Sequence, residues 1–246
     1  MIASARVGSG VIVKPLGVNH PPCLVCEVRR LGMCAAVGTD LVPRLNAMAV
    51  GRRTAAGRML FEEGDPADDV FTITAGMVKL YKLMSDGRRQ IVGFLVPGDF
   101  LGLAFGRTYV YSAEAVVATT TCRFGRGQFL ALLDACPTLE KEILARTATE
   151  LAAAQEQMLL LGRKTARERV ASFVLALARR RKIGQGQPFE LLMSRADIAD
   201  YLGLTIETVC RMLTRLKQSG IIDIPGRHSI AVVKIAQLRR AAQPSE

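Results

Sequence analysis

Between residues 50 and 130 the chain breaks into short apolar runs, VFTITAG, VKLYKL, QIVGFLVPG and AEAVVATTTCRFG. They are separated at Gly57, Gly64-Asp65-Pro66, Gly76, Asp86-Gly87, Gly98-Asp99 and Gly106. Runs this short, closed by residues that let a backbone reverse tightly, predict many antiparallel strands in a small barrel or jelly roll. At Pro137 the period changes. Proline suits a first helical turn because the N–H it lacks has no partner there. Leu144, Thr147, Leu151, Ala154, Met158 and Leu161 then recur at intervals of 3, 4, 3, 4 and 3. That is a heptad seam, which packs either on a second copy of the same helix or back on the barrel.

Beyond the seam the composition turns basic. Up to Gly162 the chain carries 17 Lys+Arg against 15 Asp+Glu, and after it 16 against 7, so nine of the eleven excess positive charges lie in the last third. A near-neutral body joined to a basic module points to a phosphate-bearing partner. Arg163 to Arg169 leads into an apolar helix over Ala171 to Ala178, then the run Arg179-Arg180-Arg181-Lys182 and a Gly/Gln loop from Gly184 to Pro188. Ser194 to Gly203 predicts a helix, with Ser194 as N-cap, Asp197 three residues on and Gly203 as the turn. A second helix opens at Thr205 and runs to Ser219. IIDIPGRHSIAVV then predicts two strands about a Pro-Gly turn, a wing.

Two helices joined by a glycine turn, the second with polar residues at its start, form a helix-turn-helix. Ile198, Leu202, Leu204, Val209 and Leu213 supply its core, and Ala199 allows the close approach. Glu207, Cys210 and Arg211 share the exposed face, because residues three and four apart lie on one side of a helix. An arginine donates twice to guanine O6 and N7 and a glutamate accepts from cytosine N4, so this pair suits one G·C pair in double-stranded DNA. Thr205 and Thr208 face phosphates.

Other classes have little support. No G-x-S-x-G, phosphate-binding P-loop or H-E-x-x-H string occurs, and His20 and His228 are the only histidines, so neither an enzyme nor a histidine-centred metal or haem site is expected. No stretch approaches about 18 uninterrupted apolar residues and no secretory h-region opens the chain, so a cytoplasmic protein with no membrane partner is expected. The six cysteines are too few for a disulfide scaffold. Cys23, Cys26 and Cys34 are grouped as C-x2-C-x7-C, and a C-x2-C turn presents two sulfurs to one centre. From the residues alone, an iron–sulfur cluster, zinc, a redox disulfide and inert thiols all remain open.

LTIETVCRMLTRLKQSGII resembles the recognition segment of the CRP/FNR regulators, MLLLGRKTARERVASF resembles the end of their dimer helix, and GFLVPGDFLG resembles their roll turn. The resemblance covers nearly all of the chain after Pro43. It implies an α+β chain in four parts: a flexible arm with the cysteine motif (1–42), a cyclic-nucleotide-type β-roll or jelly roll (43–136), a dimerisation helix (137–163) and a winged helix-turn-helix (164–246). The homodimer seam would use Leu144, Leu151, Ala154, Met158 and Leu161. Glu207 and Arg211 meet the pattern of the FNR branch, whose half-site is TTGA, while Ile206 stands where the cyclic-AMP receptor branch has a basic residue.

That branch also implies Cys23, Cys26, Cys34 and Cys122 as ligands of an oxygen-sensing [4Fe-4S] cluster, with Cys136 as the competing fourth ligand. The turn Met84, Ser85, Asp86, Gly87 and Arg88 matches the family's RNA polymerase contact. No cyclic nucleotide is expected: in LGLAFGRTYVYSAEA, Arg107 and Ser112 occur, but Tyr111 replaces the adjacent arginine and no glutamate precedes it. Three departures stand out. The spacing of seven is that of rhizobial and other alphaproteobacterial members rather than the five of the enteric type. Ala154 lies where the enteric type has an acid that keeps the cluster-free form monomeric. Cys210 lies where relatives carry serine, which leaves it either a plain contact or a second redox input.

Overall fold

The computed structural model describes residues 23–103 and 106–243; the expected arm over residues 1–22 and His20 lie outside the described residues. The described chain falls into two compact units, 23–152 and 153–243.

The first unit opens with three 3-10 turns, Cys23–Val25, Glu27–Arg30 and Met33–Ala36, and helix α1, Val42–Met48. Eight strands follow: β1 Val50–Thr54, β2 Met59–Phe61, β3 Asp69–Ala75, β4 Val78–Leu83, β5 Arg89–Leu95, β6 Phe100–Leu101, β7 Ser112–Ala115 and β8 Thr119–Gly125. They form two four-stranded antiparallel sheets, β1-β8-β3-β6 and β2-β7-β4-β5, the architecture of a roll. AEAVVATTTCRFG is two strands rather than one, and they belong to different sheets. At the break, the Val116 N–H donates to the Met77 carbonyl instead of continuing a ladder.

Strand β3 is buried along almost its whole length because both of its faces are covered. Phe71 and Ile73 point between the sheets, where Phe61, Leu80, Leu101 and Tyr109 close the roll. Val70 belongs to a second core with Cys23, Met33, Leu45, Cys122, Phe124 and Phe129. The cysteine segment therefore packs on the outer face of β3 and β8, against α1 and α2 (Arg126–Ala135).

Helix α3 spans Pro137–Arg163. Its Leu139 is fully buried and Ile143 packs on the same second core, while Leu144, Leu151 and Met158 are 70%, 60% and 64% exposed. One helix thus separates the residues that hold it to its own unit from a heptad-spaced stripe that is exposed among the described residues.

The second unit contains the end of α3, then α4 Ala166–Arg180, β9 Pro188–Glu190, α5 Arg195–Leu202, α6 Ile206–Gln218, β10 Ile222–Gly226, β11 Ser229–Val232 and α7 Ile235–Ala241. Helix α4 begins five residues before the expected Ala171. Thr165 caps it by accepting from the Glu168 N–H, and the Glu168 carboxylate accepts from the Thr165 N–H. The wing has three strands, ordered β10-β11-β9, where two were expected. Pro225 and Gly226 lie within β10, and Arg227-His228 makes the turn, since Gly226 pairs with Ser229. As β10 is an edge strand, a proline there removes no ladder hydrogen bond.

Candidate metal centre and nucleic-acid interface

The four cysteines expected to act together line one cavity of about 20 Å³, walled by Val28 and Phe124 and bordered by Arg29, Thr72 and Thr74. Cys23 and Cys34 lie in 3-10 turns, Cys26 lies between the first two turns, and the fourth comes from the middle of β8. Register places Thr72 of β3 directly opposite Cys122, so both side chains leave the sheet on the face that carries the cysteine segment. The segment is pinned at both ends. The Cys23 N–H donates to Asn46 Oδ1 of α1 at 2.9 Å, and an Arg29 N–H donates to the Val37 carbonyl at 2.9 Å. At Gly32 its backbone meets the roll directly: a Cβ there would stand 2.6 Å from the Gly98 carbonyl oxygen. Gly98, in the β5–β6 turn, has φ +95, and a Cβ on it would meet the Leu31 Cβ at 2.9 Å. GFLVPGDFLG is thus the seat of the cysteine segment.

Burial pushes the Cys34 thiol up to about 12, and the charges of Cys23 and Cys26 add to this. Cys122 is raised chiefly by burial and then by Cys34, Cys26 and Cys23. Cys23 is raised by burial and Cys26, with Arg29 opposing. Burial thus favours the neutral thiol at Cys23, Cys34 and Cys122, and a bound positive centre would remove the proton from such a thiol outright. The donor set fits an iron–sulfur centre. Around a single zinc the sulfurs must converge to about 4 Å from one another, given bonds of about 2.3 Å. Among the described residues no group of three or more His, Cys, Asp or Glu is placed to hold one metal ion. A cubane takes four thiolates, and four thiols border this one cavity. Cys136 is buried elsewhere in the same core, its Sγ 3.3 Å from Thr138 Oγ1, and does not border the cavity.

In the roll, Ser112 accepts from the Glu63 N–H at 3.0 Å, and Tyr109 stacks on Phe61 with ring centroids 3.7 Å apart. The interior next to Tyr111 is therefore filled by aromatic packing. The turn Met84 to Arg88 is exposed and self-contained: the Met84 N–H donates to the Arg88 carbonyl, and Arg88 pairs with Asp86 at 2.7 Å.

In the second unit Ser194 caps α5, accepting from the Asp197 N–H at 3.0 Å, and Gly203 makes the turn with φ +60. Thr205 caps α6, accepting from the Thr208 N–H. Val209, Met212, Leu213 and Leu216 are buried, and Glu207, Cys210 and Arg211 are exposed together. An Arg211 N–H donates to Thr208 Oγ1 at 3.3 Å, and Thr208 Oγ1 lies 3.1 Å from Thr205 Oγ1. The two threonines thus brace the arginine as well as border the helix start. Hydrogen bonds from its own backbone N–H and from Thr205 hold the Glu207 carboxyl below its usual range.

Several residues of consequence carried no sequence signal that singled them out. Arg195, at the start of α5, carries a buried NH1 without a partner and lies in the electrostatic reach of Cys210. Arg169 donates to the carbonyls of Lys164, Leu161, Leu202 and Gly203, and Gln157 donates to that of Tyr201, so the last turns of α3 are fastened to the helix-turn-helix.

A two-sheet roll, a helix with an outward heptad stripe and a winged helix-turn-helix define a DNA-binding transcription regulator. Residues 52–136 match the cyclic nucleotide-binding domain and residues 168–241 the Crp-like helix-turn-helix domain. The chain is 42% identical over 201 residues to the transcriptional activatory protein AadR of Rhodopseudomonas palustris, covering 81% of this chain and 84% of that one. It is 37% identical over 226 residues to the transcriptional activator protein FnrL of Cereibacter sphaeroides, covering 89% and 91%. The structure of FixK2 from Bradyrhizobium japonicum superposes with a TM-score of 0.75 at 38% identity, covering 80% of this chain and 99% of that one. The chain belongs to the CRP/FNR family of transcription regulators, on its FNR branch. No helix among the described residues is long and apolar enough to cross a membrane.

Proposed function

We propose that this regulator senses oxygen through a [4Fe-4S] cluster held by Cys23, Cys26, Cys34 and Cys122, and acts as a cytoplasmic homodimer on palindromes of TTGA half-sites. The observation that carries the reading is the convergence of these four thiols, from two distant parts of the chain, on one cavity. When bound, the cluster supplies an oxygen-labile centre that ties the cysteine segment to β8. The chain's own residues do the rest. Gly32 and Gly98 seat the segment, and Ile143 and Arg146 connect it to α3, the latter through an N–H donated to the Leu31 carbonyl at 3.5 Å. Helix α3 offers Leu144, Leu151, Ala154, Met158 and Leu161 to its twofold mate. Two recognition helices related by that twofold enter successive major grooves about one turn apart, where Arg211 and Glu207 read the G·C pair. The Met84–Arg88 turn contacts RNA polymerase, as suits an activator. No cyclic nucleotide is required, given the engaged Ser112 hydroxyl and the packed interior beside Tyr111.

Anaerobic purification tests this. A brown protein with about four iron atoms per chain, losing colour and DNA affinity together in air, is expected. Cys122→Ala should fold without iron while Cys136→Ala keeps it. A colourless dimer that binds DNA equally in air would instead mark a regulator controlled by its amount or by thiol oxidation.

A further inference from the structure

Two polar side chains at the cysteine cavity are used by nothing described so far. Thr72 is 3% exposed and borders the cavity opposite Cys122; its buried Oγ1 has no hydrogen-bond partner of ordinary distance and angle, yet it lies close enough to the Cys34 thiol to favour that sulfur's charged form. The neighbouring threonine on the same face, Thr74, is satisfied, donating to the Thr120 carbonyl at 3.0 Å. Thr54 and Thr121 also carry buried hydroxyls without partners, but neither borders the cavity, so an orphaned hydroxyl alone would mean little. Arg29 has one N–H spent on Val37, while its buried Nε has no acceptor; its charge acts on both Cys23 and Cys34. A buried N–H or O–H left unpaired costs about 1–3 kcal/mol. Here two residues with such donors line the cavity of the four cysteines, and both act on Cys34.

We propose that Thr72 and Arg29 form the outer shell of the cluster, donating hydrogen bonds to its sulfur atoms and raising its reduction potential. This rests on the cluster reading above. Hydrogen bonds and positive charge beside iron-bound sulfur stabilise the more negatively charged, reduced form over the oxidised one, so adding them raises the potential and removing them lowers it. The two residues divide the work. Arg29 is carried by the cysteine segment itself, within the seven-residue spacer between Cys26 and Cys34, and moves with it. Thr72 is fixed in the sheet beside Cys122, so it donates from the roll.

The test compares anaerobically loaded parent, Thr72→Val, Thr72→Ser, Arg29→Met and Arg29→Lys. Iron and sulfide content comes first: an iron-free parent overturns the cluster reading itself. With the parent loaded, midpoint potentials are measured by redox titration, and iron–sulfur stretching frequencies by resonance Raman in H2O and D2O. Thr72→Val should lower the potential and abolish part of the deuterium shift, and Thr72→Ser should restore both. Arg29→Met should lower the potential further, because a charge leaves with the donor, and Arg29→Lys should recover part of it. If the variants load iron fully and their potentials and deuterium shifts equal the parent's, the two residues only pack the segment and the outer-shell proposal falls while the cluster reading stands. Reduced loading with unchanged potential in the loaded fraction overturns it likewise.

Discussion

On the proposed reading Arg211 is the base-reading residue of the recognition helix, since a guanidinium can match guanine in two places. Arg211→Ala is expected to lose about 1–3 kcal/mol of binding and to level the preference for G at its position. Competition titrations with matched and singly mismatched sites check this, and equal discrimination in parent and variant would refute the assignment. A second residue-scale prediction concerns Cys34. In the cluster-free protein its thiol is held up to about 12 by burial, whereas in an unfolded chain a thiol ionises near about 8.5. The raised folded value means its contribution is present below the unfolded value and is lost as pH rises between the two. Melting temperature of the cluster-free protein should therefore fall from pH 8 to pH 10, and fall less steeply in Cys34→Ser. At this scale the sequence spoke unevenly. The helical period shows that Glu207, Cys210 and Arg211 share a face. A threonine in a strand carries no local mark of what it faces, and Thr72 gains meaning only from its register with Cys122.

Among the elements, the cysteine segment and the β5–β6 turn meet backbone to backbone. Gly32→Ala puts a carbon against the Gly98 carbonyl oxygen, and Gly98→Ala adds a strained φ costing of order 1–3 kcal/mol. Either change is expected to cut iron loading while leaving the circular dichroism of the roll intact. Loss of sheet signal instead would mean the turn is needed for folding rather than seating. The turn chemistry that spaced the strands was readable, and so were the Ser194 cap and the Gly203 turn, because each depends on residues close in sequence. The start of α4 was readable too, in the Thr165-x-x-Glu168 box. It was obscured by the charged run from Arg163 to Arg169, which looks like loop when judged by apolar period alone. Strand β9 was not legible, since three residues acquire strand character only from pairing with β11. Likewise Pro225 acts as a turn signal by composition, and only its edge position lets it sit in a strand.

For the whole molecule, the proposed dimer rests on the exposed stripe on α3. Leu151→Glu places like charges across the twofold where burying each leucine contributes about 1.5–3 kcal/mol, so sedimentation should show a monomer that still folds. Ala154→Asp should weaken the cluster-free dimer most, since no seated segment then supports the helix. The heptad made the stripe legible; what the sequence alone could not separate was mate from barrel. Leu139 and Ile143 take the inward side and leave the stripe exposed, which supports the mate. The clamp at Arg169 and Gln157 has one more consequence. Because the end of α3 and the reading turn are fastened by five donated hydrogen bonds rather than joined by a slack linker, the proposed dimer would measure its operator as calipers do. One base pair added between the half-sites turns the second by about 34–36° around the duplex, at 10–10.5 base pairs per turn, and moves it off the face the calipers span. Such an operator should bind as one half-site, and Arg169→Ala, by loosening the jaw, should lose affinity for the natural spacing while narrowing the gap between the two operators.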